Sequence, residues 1–439
     1  MRIVKLLLVI LGLSFLGCGC DSSNDVNSID ENILTNPIFK EFNIGFGGSS
    51  SFPFVNKEGN NKIWVNGKNL ILDDNLADNG YYQNIKDFNG TAFNKLHNYL
   101  KKSKFLIYWF TDGWSESWYD INGIQSLMDK GYIPVFQYWY FGDKLINGMP
   151  DENKKRLYQE DNIRVAEFLS KLHGLKMLIM EPEFNKQPVL KSEETQHEFA
   201  SIISNAIDII KAENPELLIS LSMMDIGSRG VSNTATKCGY ENCSLGDKYA
   251  WEKPQIVFND LIDKLDFISF HQMMGQFSRD YNNPGGWDTP NPRKFSDEEL
   301  GIEFLADRIS NFSKFLHDKY NKPVFLPYIG ITTATWDDAN SNNKIEDSEI
   351  DYNGWVDRAD SVYRKLAKLK PQLKANGLFG FAPMELFDNP RHDYGGYQYF
   401  MNNEYHLGII GSGAKDELSI ASYGDLHFKG HILDYIFDP

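Results

Sequence analysis

Residues 177–185 read Met-Leu-Ile-Met-Glu-Pro-Glu-Phe-Asn, an apolar run that stops at two carboxylates, Glu181 and Glu183, separated by one proline. Paired carboxyls can divide proton-transfer work, one kept neutral as an acid and the other ionised as a base or nucleophile. A short apolar run of this kind predicts a strand buried on both faces of a parallel sheet. Side chains alternate along a strand, so residues i and i+2 share a face. Glu181 and Glu183 are therefore expected to emerge together where the strand stops. The C-terminal ends of parallel strands are where α/β folds keep their chemistry. An N-capping pair or a surface ion pair is the plain structural reading of the same two acids.

Such a pair needs a scaffold, and the rest of the chain supplies its pattern. Strand-like runs fall at 42–46, 105–110, 132–138, 176–180, 217–223, 267–270, 324–329 and 378–382. Amphipathic stretches at 152–172, 192–213, 297–320 and 351–369 lie between them, and Pro215, Pro323 and Gly377 stand just before strands as helix stops. Eight strand–helix alternations over roughly 400 residues predict an α/β fold, a (β/α)8 TIM barrel, rather than a doubly wound sheet. Residues 63–72, with Asn66-Gly67 at the centre, predict a small decorating hairpin.

In a barrel, the residues that follow each strand line one mouth. Here they include Trp109 and Trp114 after the second strand, and Gln137, Tyr138 and Trp139 at the third. Asn185 follows the fourth strand, Asp225 the fifth and His271 the sixth, with Tyr328 and Trp336 at the seventh and Glu385 at the eighth. Flat indole and phenol faces beside amides and carboxylates suit a sugar ring, which stacks its C–H face and hydrogen-bonds its hydroxyls. The expected partner is a carbohydrate substrate. The same aromatics are also ordinary core residues, and His271 reads more readily as a satisfied strand-end histidine than as a catalytic one.

The chain resembles the TIM-barrel glycoside hydrolases. In one large clan of retaining enzymes the fourth strand ends in Asn-Glu-Pro with that glutamate as acid/base, and here Met180-Glu181-Pro182 places Glu181 there. The stretches Glu385-Leu386-Phe387-Asp388-Asn389-Pro390 and Tyr405-His406-Leu407-Gly408-Ile409 also resemble the ends of such barrels. The resemblance implies a glycosidase acting on a polysaccharide or oligosaccharide. It departs at the seventh strand, where the clan keeps its nucleophilic glutamate and this chain has Tyr328. The second carboxylate is then Glu183, in an Asp-x-Glu-like arrangement with the substrate's N-acetyl group as nucleophile, or Glu385 or Asp225 from another strand. Retention and inversion both stay open, since the carboxylate separation decides between them. A non-catalytic glycan-binding protein on the same scaffold is the alternative. His-Glu-x-x-His and Gly-x-Ser-x-Gly are both absent, which argues against the common peptidase and esterase sites.

Residues 338–349 follow the spacing of a twelve-residue calcium loop. Asp338, Asn340, Asn342, Glu346 and Glu349 supply side-chain oxygens, Lys344 a backbone carbonyl, and Ile345 the apolar place. Asn343 stands where glycine normally turns the loop, which predicts a weak site, and extracellular calcium is abundant enough to fill one. No organic cofactor is expected. Cys238 and Cys243 are spaced for a small disulfide loop.

Residues 1–17, basic then apolar, predict a secretory signal, and Leu16-Gly17-Cys18 resembles a lipobox with Cys18 as the lipidated residue. A polar tether over 18–38 then leads to a single catalytic domain, 39–439, held at a bacterial envelope by lipid alone. A net charge of −16 excludes nucleic acid as a natural partner, 42% hydrophobic residues suffice for one large core, and a monomer is expected.

Overall fold

The computed structural model describes residues 36–47, 54–55, 62–63, 90–225, 247–275, 297, 301–337, 339–341, 347–351, 353–388, 406–411 and 427–438. Eight strands form a closed parallel barrel. They are β1 (Asn43–Phe46), β2 (Phe105–Thr111), β3 (Ile133–Trp139), β4 (Met177–Met180), β5 (Leu218–Met224), β6 (Ile268–Met274), β7 (Val324–Ile331) and β8 (Leu378–Pro383). Each pairs with the next, and β8 returns to β1 through Asn43 opposite Gly380. Helices α1 (Gly90–Leu100), α2 (Ile121–Asp129), α3 (Glu152–Ser170), α4 (Glu193–Glu213), α5 (Gln255–Leu261), α6 (Leu305–Tyr320), α7 (Val356–Ala375) and α8 (Ile432–Phe437) follow the strands in turn. The protein is a (β/α)8 TIM barrel. Among the described residues no helix is long and apolar enough to cross a membrane.

The period-two pattern of the strands builds two cores. Phe105, Ile107, Ile133, Val135, Met177 and Ile179 point into the barrel with Leu218, Phe267, Phe325 and Phe379. Their neighbours Leu106, Tyr108, Phe136, Tyr138, Leu178 and Met180 face the helices. Closure demands small residues where β1 wedges between β8 and β2. A Cβ on Gly45 would lie 2.6 Å from Phe105 Cβ, and one on Gly380 would lie 2.3 Å from the Asn43 carbonyl oxygen. Helix starts are set locally: Ser192 and Thr195 exchange side-chain and backbone hydrogen bonds at the head of α4, a capping box.

One local expectation changes, and another falls largely outside the described residues. Asn36 caps the short helix Pro37–Lys40, which drives Ile38 and Phe39 into the N-terminal end of the barrel. The folded body thus takes in 36–38, which the sequence pattern assigns to the tether. The strand Lys62–Ile63 pairs antiparallel with Phe54–Val55, upstream of the expected Asn66-Gly67 hairpin, whose turn lies outside the described residues.

The barrel floor is aromatic: Phe379 packs against Phe39 at 4.8 Å, Phe325 at 5.0 Å and Phe267 at 5.7 Å between ring centroids. Truncating a fully enclosed phenylalanine removes transfer energy and leaves a cavity, so Phe379→Ala should cost about 3–5 kcal/mol. The exposed Phe304, 42% accessible, gives the contrast; Phe304→Ala should shift stability by less than about 0.5 kcal/mol. Urea unfolding midpoints of the two variants measure this, and equal midpoints would place Phe379 outside the stabilising core.

Candidate active site

The exit of β4 turns the expected geometry around. The Glu181 amide still donates to the Tyr138 carbonyl at 2.8 Å, continuing the ladder. Its φ is then +38° and that of Glu183 +66°, both in the left-handed region that side chains with a Cβ seldom occupy. Phe184 N–H closes back on the Glu181 carbonyl at 3.1 Å. The turn breaks strand alternation at its first residue, so the two carboxylates part instead of emerging together.

Glu181 is fully buried rather than solvent-facing. Its Oε1 accepts from Tyr140 N–H at 3.3 Å and its Oε2 from Phe141 N–H at 3.1 Å, which pins the loop after β3. Burial pushes its carboxyl up to about 8, against the pull of these amides and of Tyr158 beside it. With both oxygens committed to the loop backbone, this group is placed as an anchor.

Glu183 turns the other way, to the barrel axis. Tyr328 of β7 donates its hydroxyl to Oε1 at 2.9 Å, and Nε2 of His271 on β6 lies 3.2 Å from the same oxygen. Lys186 Nζ is 3.5 Å from Oε2, and the two side chains retain only 10% and 12% exposure. The His271 ring stacks on Tyr328 at 4.3 Å, while Nδ1 of His271 meets Ser222 Oγ at 3.4 Å. Around this group stand the half-buried rings of Trp109, 5.6 Å from Tyr328, and Trp139, 6.1 Å from Trp109. Lys186 Nζ sits 5.6 Å from the Trp139 ring, a cation–π distance. Gln137 lies level with Trp109 across the β2–β3 pair. It is fully buried inside the barrel, and neither amide atom has a hydrogen-bond partner among the described residues.

Several residues expected at the mouth are elsewhere. Trp114 and Tyr138 are core residues that both donate to Asp161 of α3, at 3.0 and 2.9 Å. Asn185 uses its whole amide on the backbone of Met224, accepting from its N–H and donating to its carbonyl at 2.9 Å each. Asp225 is a buried ion-pair residue, held by Arg308 Nε and Nη2 at 2.5 and 2.6 Å and by Trp251 Nε1 at 3.0 Å. Glu385 is buried just past β8, where Met384 N–H bonds the Ile329 carbonyl of β7 at 2.8 Å. It therefore lies one strand over from Tyr328. The Trp336 side chain, Asp338, Asn342, Lys344, Glu346, Cys238, Cys243 and Cys18 lie outside the described residues.

Of the calcium loop, Asn340 is exposed and its N–H donates to Glu349 Oε1 at 3.4 Å, so the third and twelfth positions meet. The loop is flanked by the bridge of Thr335–Trp336 with Ile350–Asp351, strands where an EF-hand has helices.

Three residues of the constellation and the strand beside it escape the sequence reading. Lys186 is three places after Glu183, the separation of one helical turn, in a segment that reads as loop. Ser220 and Ser222 alternate on the otherwise apolar β5, a period-two polar pair that marks the barrel-facing side. Ser220 bonds Ser269 of β6 at 2.9 Å, and Ser222 reaches His271.

No family profile and no curated protein matches the chain. Solved structures resemble it at low similarity. A family 1 b-glucosidase from Thermotoga maritima shares 13% identity over 91% of this chain and 97% of its own, with TM-score 0.46. Beta-glycosidase BGL167 shares 14% over 77% and 82%, with TM-score 0.45. At such values the barrel rests on its own strand pairing rather than on these likenesses.

The buried Glu181 makes stability depend on pH. A carboxyl raised from 4.5 to about 8 favours its protonated form in the fold. Its stabilising contribution is full below the unfolded value and is lost as pH rises toward the folded one. The melting temperature of the wild type should therefore fall across pH 5–8 more steeply than that of Glu181→Gln, which has no proton to lose. Parallel curves would mean that Glu181 does not titrate in this window.

Proposed function

We propose that the protein is a glycoside hydrolase working at the C-terminal mouth of its barrel, with Glu183 as the carboxylate that moves the proton. The observation that carries this reading is the placement of Glu183. It is nearly enclosed and ringed by Tyr328, His271 and Lys186, with the ring of Trp109 beside Tyr328 and that of Trp139 beside Lys186. In this reading Trp109 and Trp139 offer stacking faces to a pyranose, and the Gln137 amide takes a hydroxyl or a bridging water. An amide left without partners in a dry interior costs free energy that such a bond recovers. Glu181 positions the loop after β3 and takes no part in the proton transfer.

The second reading, a non-catalytic glycan-binding protein, is favoured by Tyr328 standing where the resembling clan keeps a nucleophilic glutamate. Hydrolysis separates the two. A panel of nitrophenyl glycosides and polysaccharides should yield product with at least one sugar, and Glu183→Gln should lower that rate by roughly 10²–10⁴ while the melting curve is kept. Binding without turnover by the wild type would select the second reading.

We propose further that Cys18 carries a lipid anchor, that Cys238 and Cys243 form a disulfide, and that residues 338–349 bind calcium weakly. Contact between the third and twelfth positions supports the last of these. A ligand confined to the folded state stabilises it by RT ln(1 + [L]/Kd), about 1 kcal/mol for a weak site at millimolar calcium. EDTA should lower the melting temperature correspondingly, and Glu349→Ala should abolish that response. A melting temperature indifferent to EDTA would dismiss the site.

A further inference from the structure

We infer that Tyr328 is the nucleophile of this site and Glu183 the base that activates it. The inference rests on the glycosidase reading and adds the covalent step to it. A nucleophilic side chain is recognised by geometry: it lies within hydrogen-bond reach of a base, and the base is oriented by a third group. Tyr328 Oη donates to Glu183 Oε1 at 2.9 Å, and His271 Nε2 stands 3.2 Å from that oxygen. Nδ1 of His271 is in turn 3.4 Å from Ser222 Oγ. The stacking of His271 on the phenol ring at 4.3 Å limits its rotation, and Trp109 bounds it at 5.6 Å. Glu183 thus accepts from the hydroxyl itself, while His271 and Trp109 flank the phenol ring and Ser222 reaches His271 from β5.

A purely structural tyrosine does not need this arrangement. Its hydroxyl could be satisfied by any backbone carbonyl, yet here it meets a nearly enclosed carboxylate whose own residue sits at φ +66°. Left-handed, non-glycine residues concentrate where function holds a side chain in place. A neutral phenol is a weak nucleophile because its proton leaves only near pH 10. A carboxylate in line with that proton removes the obstacle, and tyrosine nucleophiles are known among glycosidases.

In the first step Tyr328 Oη bonds to the anomeric carbon as the bond from that carbon to the leaving oxygen breaks. The phenol proton passes to Glu183 Oε1, and the leaving oxygen departs as an anion or takes a proton from solvent. In the second step water attacks the anomeric carbon and the bond to Tyr328 Oη breaks. Glu183 returns its proton to the phenolate, and the proton lost by water goes to solvent. The sum is hydrolysis with retained configuration, and His271 acts as a positioning residue through Glu183.

The test uses the full-length protein with dinitrophenyl fluoroglycosides of the gluco, galacto, manno and xylo series, which form the adduct quickly and release it slowly. Peptide mass mapping should find one fluorosugar on Tyr328. Tyr328→Phe should lose both the label and turnover of the unfluorinated glycosides while keeping the wild-type melting temperature. Glu183→Gln should slow labelling of Tyr328 without moving it to another residue. A label on Glu385, an inverted product by proton NMR, or unimpaired turnover in Tyr328→Phe would overturn the inference and leave the hydrolase reading standing. Failure to hydrolyse any glycoside would overturn both.

Discussion

Oε1 of Glu183 is the atom on which the mouth of this barrel is organised. A residue from the end of β4 reaches it through a left-handed turn, β7 brings the Tyr328 hydroxyl, and β6 brings His271. Barrel closure makes the meeting possible, because inward-pointing residues of non-adjacent parallel strands approach one another only across a closed interior. That closure depends in turn on Gly45 and Gly380, where any side chain would push β1 away from its two neighbours. Chemistry at the mouth and packing at the wall are one constraint seen at two heights.

The buried acids of this protein illustrate how environment divides their roles. Glu181 is held by backbone amides with Tyr158 beside it, and burial dominates its titration. Asp225 has a two-pronged bond from Arg308, geometry that offsets the cost of desolvating both charges. Burial would raise Asp388, but Lys429 at 2.6 Å and His406 at 3.2 Å outweigh it and hold its carboxyl below the usual range. Each fastens one loop or helix to the rim. Glu183 differs in taking partners from other barrel strands, the Tyr328 hydroxyl of β7 and His271 of β6. Its neighbours include aromatic faces instead of only backbone, which suits the recognition of a ring.

The inside of the barrel changes character along its axis. Its N-terminal half is filled by phenylalanines, with Phe39 of the preceding helix closing the end. Toward the other end come Gln137, Ser220, Ser222, Ser269 and His271, all fully buried. Polar groups held dry are stable only where bonds are available to them. The serines and histidine find theirs in one another, and the interior grades from an aromatic floor to a polar mouth.

The eight strands, four of the helices that follow them and the barrel they form could be read from the chain, because period-two runs flanked by amphipathic segments leave parallel packing as the stable way to bury both faces. The placement of the β4 exit and of Tyr328, His271, Trp109 and Trp139 in the C-terminal parts of their strands could be read for the same reason: position along a strand is a matter of counting. Which side each strand-end residue faces was decided only by tertiary structure. Alternation holds while φ stays extended, and at Glu181 it does not, so the carboxylate matched to the resembling clan became a loop anchor and its neighbour took the axis. Trp114 and Tyr138 sit on the helix-facing side because Asp161 of α3 waits there for their donors, a partner 47 and 23 residues away that spacing cannot reveal. Asn185 and Asp225 were likewise claimed by Met224 and by Arg308, contacts made only once the chain had closed on itself.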